Sequence, residues 1–217
     1  MYKGLILAAA FAGTMLVGCV TMTEKIEPSL LTEATADQNA QIDKLGKDAI
    51  VKREDRVAAE KAVNIAEAMI AVSKEQIRTY EQVGKLYAAQ NNLYTVEGSK
   101  DKIDAVAKSI DANNKKTAQE KANNDYLNIW CDQLVCEKEL RELELASIFA
   151  QVDLIKATAA HDFQVKRQEK KPIDVSAYQK NADEIAKKIV TKQSDLKKSV
   201  EKTARAKEAR DKTGYGA

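Results

Sequence analysis

Residues Leu140–His161 read LRELELASIFAQVDLIKATAAH. One series at helical spacing runs Leu140, Leu143, Ser147, Ala150, Leu154, Ala157 and His161, and a second runs Leu145, Ile148, Val152, Ile155 and Ala159. At about 100° per residue the two stripes lie about 140° apart around the axis, so neither is the lone buried face of a surface helix. A helix apolar on two sides needs two neighbours, and this stretch therefore predicts a bundle with the helix inside it.

Upstream, Asn128–Leu140 reads NIWCDQLVCEKEL, with Cys131 and Cys136 beside the only tryptophan, Trp130. A c-type haem site needs two residues between its cysteines and a histidine after the second, but Glu137 follows Cys136. A thioredoxin-like site also needs two, and a structural zinc site needs further soft ligands. A disulfide or two free thiols remain. On an unbroken helix positions five apart rise about 7.5 Å and place their Cα atoms roughly 8.6 Å apart. A disulfide tolerates about 6.8 Å. Export from the cytoplasm favours the bond, so the expectation is a Cys131–Cys136 staple with a helix break between them.

Asn113–Asn124, NNKKTAQEKANN, has no apolar residue larger than alanine and reads equally as a loop or as a solvated helical segment protruding from the bundle. Before it, Ile103, Val106, Ala107 and Ile110 mark a weaker amphipathic piece. Glu97-Gly98-Ser99 is the expected stop of an earlier helix, with glycine at the left-handed cap and serine capping the next start. From Ile42 that earlier helix carries a seven-residue series through Ala49, Val63, Ile70 and Ile77, interrupted by Arg56, with companions Leu45, Ala59, Ala66, Tyr80, Tyr87 and Tyr94. These are two seams of a coiled-coil-like face. Ile65, Val72, Leu86 and Leu93, with Met69 and Val83, form another face, which is expected to touch another neighbour.

Downstream, Pro172 in KKPIDVS ends the Leu140–His161 helix. A last helix starts near Asp174 or Ser176 and carries one stripe, Val175, Tyr178, Ala182, Ile185, Ile189 and Leu196. Beyond Val200 charges occupy every face, so the end is expected to project or fray, with residues 213–217 flexible. The 217-residue chain is 31% charged and 5% aromatic and has two prolines, a composition of long helices. Its net charge of +2 calls for no nucleic-acid partner.

At the other end, MYKGLILAAAFAGTMLVGC carries Lys3, an apolar run from Leu5 to Val17 and small residues before Cys19. The run is about 13 residues, short of the roughly 20 a spanning helix needs, and reads as a secretion signal. Leu16-Val17-Gly18-Cys19 resembles the lipobox of bacterial lipoproteins. The resemblance implies cleavage after residue 18, diacylglyceryl and further acyl chains such as palmitate on Cys19, and anchoring without spanning. Val20, where an inner-membrane lipoprotein of enteric bacteria would carry Asp, makes the resemblance imply the outer membrane, with a periplasm-facing protein expected and surface exposure as the alternative.

No nucleophile–base pair, phosphate-cradling glycine loop or paired catalytic carboxylates are visible. His161, the only histidine, reads as a packing residue, since no His or Cys lies three or four positions away. The tyrosines read as a bundle seam and, alternatively, with Trp130, as a ligand or partner groove. The expectation is an all-α, elongated up-and-down bundle of three or four long helices: signal 1–18, lipidated tether 19–37, bundle 38–212. Its expected role is a non-catalytic, lipid-anchored structural or adaptor protein of the cell envelope, with a protein partner or a homo-oligomer and no cofactor beyond the covalent lipid. The alternative is a surface-exposed or periplasmic binding lipoprotein for a host, environmental or small-molecule ligand.

Overall fold

The computed structural model describes residues 26–216; the signal, the lipobox and Cys19 lie outside them. After a short 3-10 turn, Pro28–Leu31, three helices follow: α1 Ala36–Glu97, α2 Lys100–Lys166 and α3 Val175–Asp211. At 1.5 Å per residue they are about 93, 100 and 55 Å long. Among the described residues the architecture is all-α, a bundle of three long helices.

Local chemistry sets the ends. Thr35 and Gln38 form a capping box, in which the Gln38 amide donates to Thr35 Oγ1 at 3.2 Å and the Thr35 amide donates to Gln38 Oε1 at 2.8 Å. Gly98 closes α1 at φ +68°, as its lack of a Cβ allows. Ser99 sits at the start of α2, yet its side chain makes no capping hydrogen bond. α2 stops at Lys166, ahead of Pro172, through a left-handed Gln168 (φ +55°) and a Glu169 amide that donates to the Gln164 carbonyl. Asp174 caps α3 by accepting from the Ser176 amide at 2.9 Å.

α1 runs antiparallel to α2, pairing Glu81 with Lys121 and Lys52 with Glu144, and Glu33 just ahead of α1 pairs with Lys166. α3 runs back along α2, pairing Glu139 with Lys192 and Gln119 with Thr213. α1 and α3 each pack on α2 and not on each other, so α2 is the inner helix that its two stripes foretold. Beyond the level of Gln119 the hairpin tip stands without a third helix.

The α1–α2 seam is layered. Ala49, Leu145 and Ile148 form one apolar cluster, with Leu45 against it. Val63, Ala66 and Leu134 form another, joined by Ala62, Trp130 and Cys131. Between them Glu144 binds Lys52 at 2.9 Å and Arg141 at 3.1 Å, and Arg141 reaches Glu137 at 3.3 Å. Arg56, the residue that interrupts the heptad series, lies in this stretch of α1, its Nε enclosed without a hydrogen-bond partner among the described residues.

Three sequence expectations change. Of the two readings of Asn113–Asn124 the helical one holds, since it is a continuous part of α2, but the segment is not simply solvated: Asn113, Glu120 and Asn123 are buried. The Cys131–Cys136 disulfide is absent and both thiols are free, because α2 runs through them unbroken. The charged end of α3 stays helical to Asp211, and the turn after it docks on α2 instead of hanging free.

Candidate interaction surface

The five-residue offset that forbids the disulfide sends the two thiols to different neighbours. Cys131 packs on the Val63–Ala66–Leu134 cluster at the α1 side. Burial pushes its thiol up, and Glu67 and Asp132 add to this. Cys136 lies beside Lys192 and Asp195 of α3 and Glu139 of α2; burial pushes it up more than the Lys192 charge draws it down. A raised thiol is a poor nucleophile near neutral pH, so both act as small packing residues.

Tyr80, Tyr87 and Tyr94 are half-buried along α1. The Tyr80 carbonyl accepts from Asn113 Nδ2 at 2.9 Å, and Lys102 lies 5.0 Å from the Tyr94 ring centre. Trp130 is elsewhere: it packs on the apolar cluster and stacks with Tyr126 at 6.5 Å. The tyrosines and the tryptophan therefore do not form one groove. His161 and Gln164 together hold Ile173, His161 Nδ1 lying 2.9 Å from its carbonyl and Gln164 Oε1 accepting from its amide at 2.8 Å. The histidine thus braces the loop between α2 and α3.

One cluster had no sequence signal. Glu120 Oε1 accepts from Ser73 Oγ at 2.6 Å and from Asn123 Nδ2 at 3.0 Å, and all three residues are buried. The Tyr215 hydroxyl also bonds Glu120; burial pushes its phenol up, and the Glu120 charge adds to this. Gln119 Nε2 donates to the carbonyls of Thr213 and Gly214 at 2.9 and 3.0 Å. Arg210 lies over Tyr126 at 4.4 Å and over Tyr215 at 5.5 Å. Together these contacts clip the C-terminal turn to the α1–α2 hairpin.

Beside the clip is a groove of about 360 Å³, lined by Ile65, Met69 and Val72 of α1, Leu127 of α2 and Tyr215. Its α1 wall belongs to the second apolar face. Among the described residues that face is largely uncovered: Ile65 is 58% exposed, Val72 65%, Leu86 56% and Leu93 55%. These four occupy positions in a seven-residue series from 65 to 93, with the polar Thr79 in the remaining place, and form a row about 42 Å long, an arrangement that helix partners bury.

Among the described residues no helix is long and apolar enough to cross a membrane, and no group of three or more His, Cys, Asp or Glu is placed to hold a metal ion. Compared with protein-family profiles, curated proteins and solved structures, the chain has no match.

Proposed function

We propose that this chain is a lipid-anchored, non-catalytic structural or adaptor protein of the cell envelope, held at the outer membrane through Cys19 and acting through helix contacts. The observation that carries the reading is the exposed row Ile65, Val72, Leu86 and Leu93, an apolar face at coiled-coil spacing that the described residues leave largely uncovered. The long rod supports it, since a helix about 93 Å long offers contact surface at a distance from an anchored end. The lipobox supports the anchor, as two or more acyl chains give stable membrane attachment.

Crosslinking in intact cells tests the role. Photo-crosslinkers at Val72 and Leu86 are expected to recover defined envelope proteins, this chain included. Recovery of nothing above the level seen with a crosslinker on the exposed, polar Lys47 would overturn the reading. Labelling with a fatty acid, lost on Cys19→Ser, tests the anchor separately.

A further inference from the structure

α3 carries a charge that the other helices do not. α1 holds nine Lys and Arg against ten Asp and Glu, and α2 ten against twelve, whereas α3 holds ten against six. The excess is concentrated in residues 187–207, where eight bases stand against two acids, Asp195 and Glu201. On the reading that the chain is lipid-anchored, we propose that the outward face of α3 between Lys187 and Arg205 binds acidic phospholipid headgroups of the membrane holding the anchor, so that the rod lies along that membrane.

The fold turns this charge outward. The buried residues of α3, Tyr178, Asn181, Ile185 and Thr203, lie on one line toward α2, the only described helix that α3 touches. At about 100° per residue, Lys187, Lys197, Lys198, Lys202 and Arg205 all fall on the opposite half of the helix, joined there by Glu201, with Asp195 at the edge. All five are exposed. Lys198 reaches Asp195 at 3.8 Å, an exposed pair that adds little. Among the described residues Lys187, Lys197, Lys202 and Arg205 make no ion pair. Unpaired cations gathered on one rigid face repel one another, and a surface of opposite charge relieves that repulsion. Phosphate oxygens also accept charge-assisted hydrogen bonds from both Lys and Arg.

The position of the face selects a membrane over another polyanion. Glu33 pairs with Lys166, and His161 holds the loop that leads into α3, so the entry of the chain and the start of α3 share one end of the rod. Cys19 and Ile26 are seven residues apart, a reach of about 25 Å at most. The basic face begins about 18 Å from the start of α3 and ends about 45 Å from it. Headgroup attraction acts within a Debye length, about 8 Å at physiological salt. A rod standing upright on its anchor would hold these charges beyond that range, whereas a rod lying down sets them against the surface together. The lipid keeps the face beside the headgroups, so contacts that are weak singly act at high effective concentration.

The test uses full-length chain purified from its own cells and reconstituted into vesicles, with a photo-crosslinker at Ser194, an exposed residue on the outward line of α3. In vesicles of phosphatidylglycerol and phosphatidylethanolamine it is expected to crosslink to lipid. In phosphatidylcholine alone, or at high salt, the yield is expected to fall about tenfold or more. The combined variant K187E, K198E and R205E, all at exposed positions, is expected to keep its circular dichroism and to lose the crosslink to a similar extent. Equal yields in the two kinds of vesicle, equal yields from parent and charge-reversed chains, or no lipid crosslink at all overturn the proposal. So does recovery of an acidic protein, in place of lipid, at Ser194 in intact cells. Fatty-acid labelling at Cys19 separates this proposal from the anchor. A labelled chain without the Ser194 crosslink keeps the anchor and loses the α3 contact. An unlabelled chain that floats with phosphatidylglycerol vesicles at low salt, while its charge-reversed variant does not, keeps the α3 contact and loses the anchor.

Discussion

The two halves of α2 do the same geometric job with opposite chemistry. From Leu134 to Phe163 the helix buries Leu140, Leu145, Ile148, Ala157 and Ala160, and it is flanked on both sides by α1 and α3. From Asn113 to Asn124 it buries Asn113, Glu120 and Asn123 against α1, through hydrogen bonds to Tyr80 and Ser73. Apolar burial is non-directional and fixes little beyond contact. A buried hydrogen bond is worth only about 1 kcal/mol net, but leaving its partners unmet costs more, so it penalises slippage. The apolar half supplies most of the stability, and the polar half sets the register of the hairpin.

The largest expected effect breaks the apolar half. Leu140→Ala should lower unfolding free energy by about 3 kcal/mol through lost contact and a cavity, read by urea denaturation. Breaking the polar half should cost less. Glu120→Ala strands Ser73 and Asn123 and releases Tyr215, at about 2 kcal/mol, and limited proteolysis should then cut near the freed C-terminal turn. A result in which Glu120→Ala costs nothing would remove the polar half's role.

The glycines of α1 sharpen the contrast. Gly46 has nothing within 4 Å of an added Cβ, so Gly46→Ala should stabilise by about 0.8 kcal/mol from helix propensity. At Gly84 the same Cβ would lie 3.2 Å from Asn113 Nδ2, which is already committed to the Tyr80 carbonyl. Gly84→Ala should therefore lose that gain, and a thermal melt of both variants separates them.

The smallest effect lies in the charged layer. Burial works to raise the Glu144 carboxyl, but hydrogen bonds from Lys52 and Arg141 outweigh it and hold it below the usual carboxylate range. A depressed folded value contributes stability above the unfolded value, near pH 4.3, that is lost as pH falls through the folded one. Glu144→Gln should thus be less stable than the parent at pH 7, by about 1 kcal/mol or less, with the gap closing as pH drops below about 4.

What the sequence revealed tracks where each residue's partner lies. The stripes of Leu140–His161 and the stop at Gly98 are local patterns, and both are present in the structure. The second face of α1 was legible as apolar, but sequence could not tell that no described element packs over it. Asn113–Asn124 was opaque because its hydrophobic period is replaced by hydrogen bonds to residues on another helix. Tyr215 was opaque for the same reason, since Glu120 lies far away along the chain. The cysteines misled because compartment chemistry argued for a bond that an unbroken helix cannot close.

That unbroken helix underlies the rest: it carries the polar register at one end and the apolar core at the other. The most direct measurement is the state of Cys131 and Cys136 in chain taken from its own cells, alkylated under denaturing conditions without reductant and read by intact mass and peptide mapping. Alkylation of both thiols is the predicted result. A peptide in which Cys131 and Cys136 are joined would contradict it, since the bond requires a break in α2 at that point.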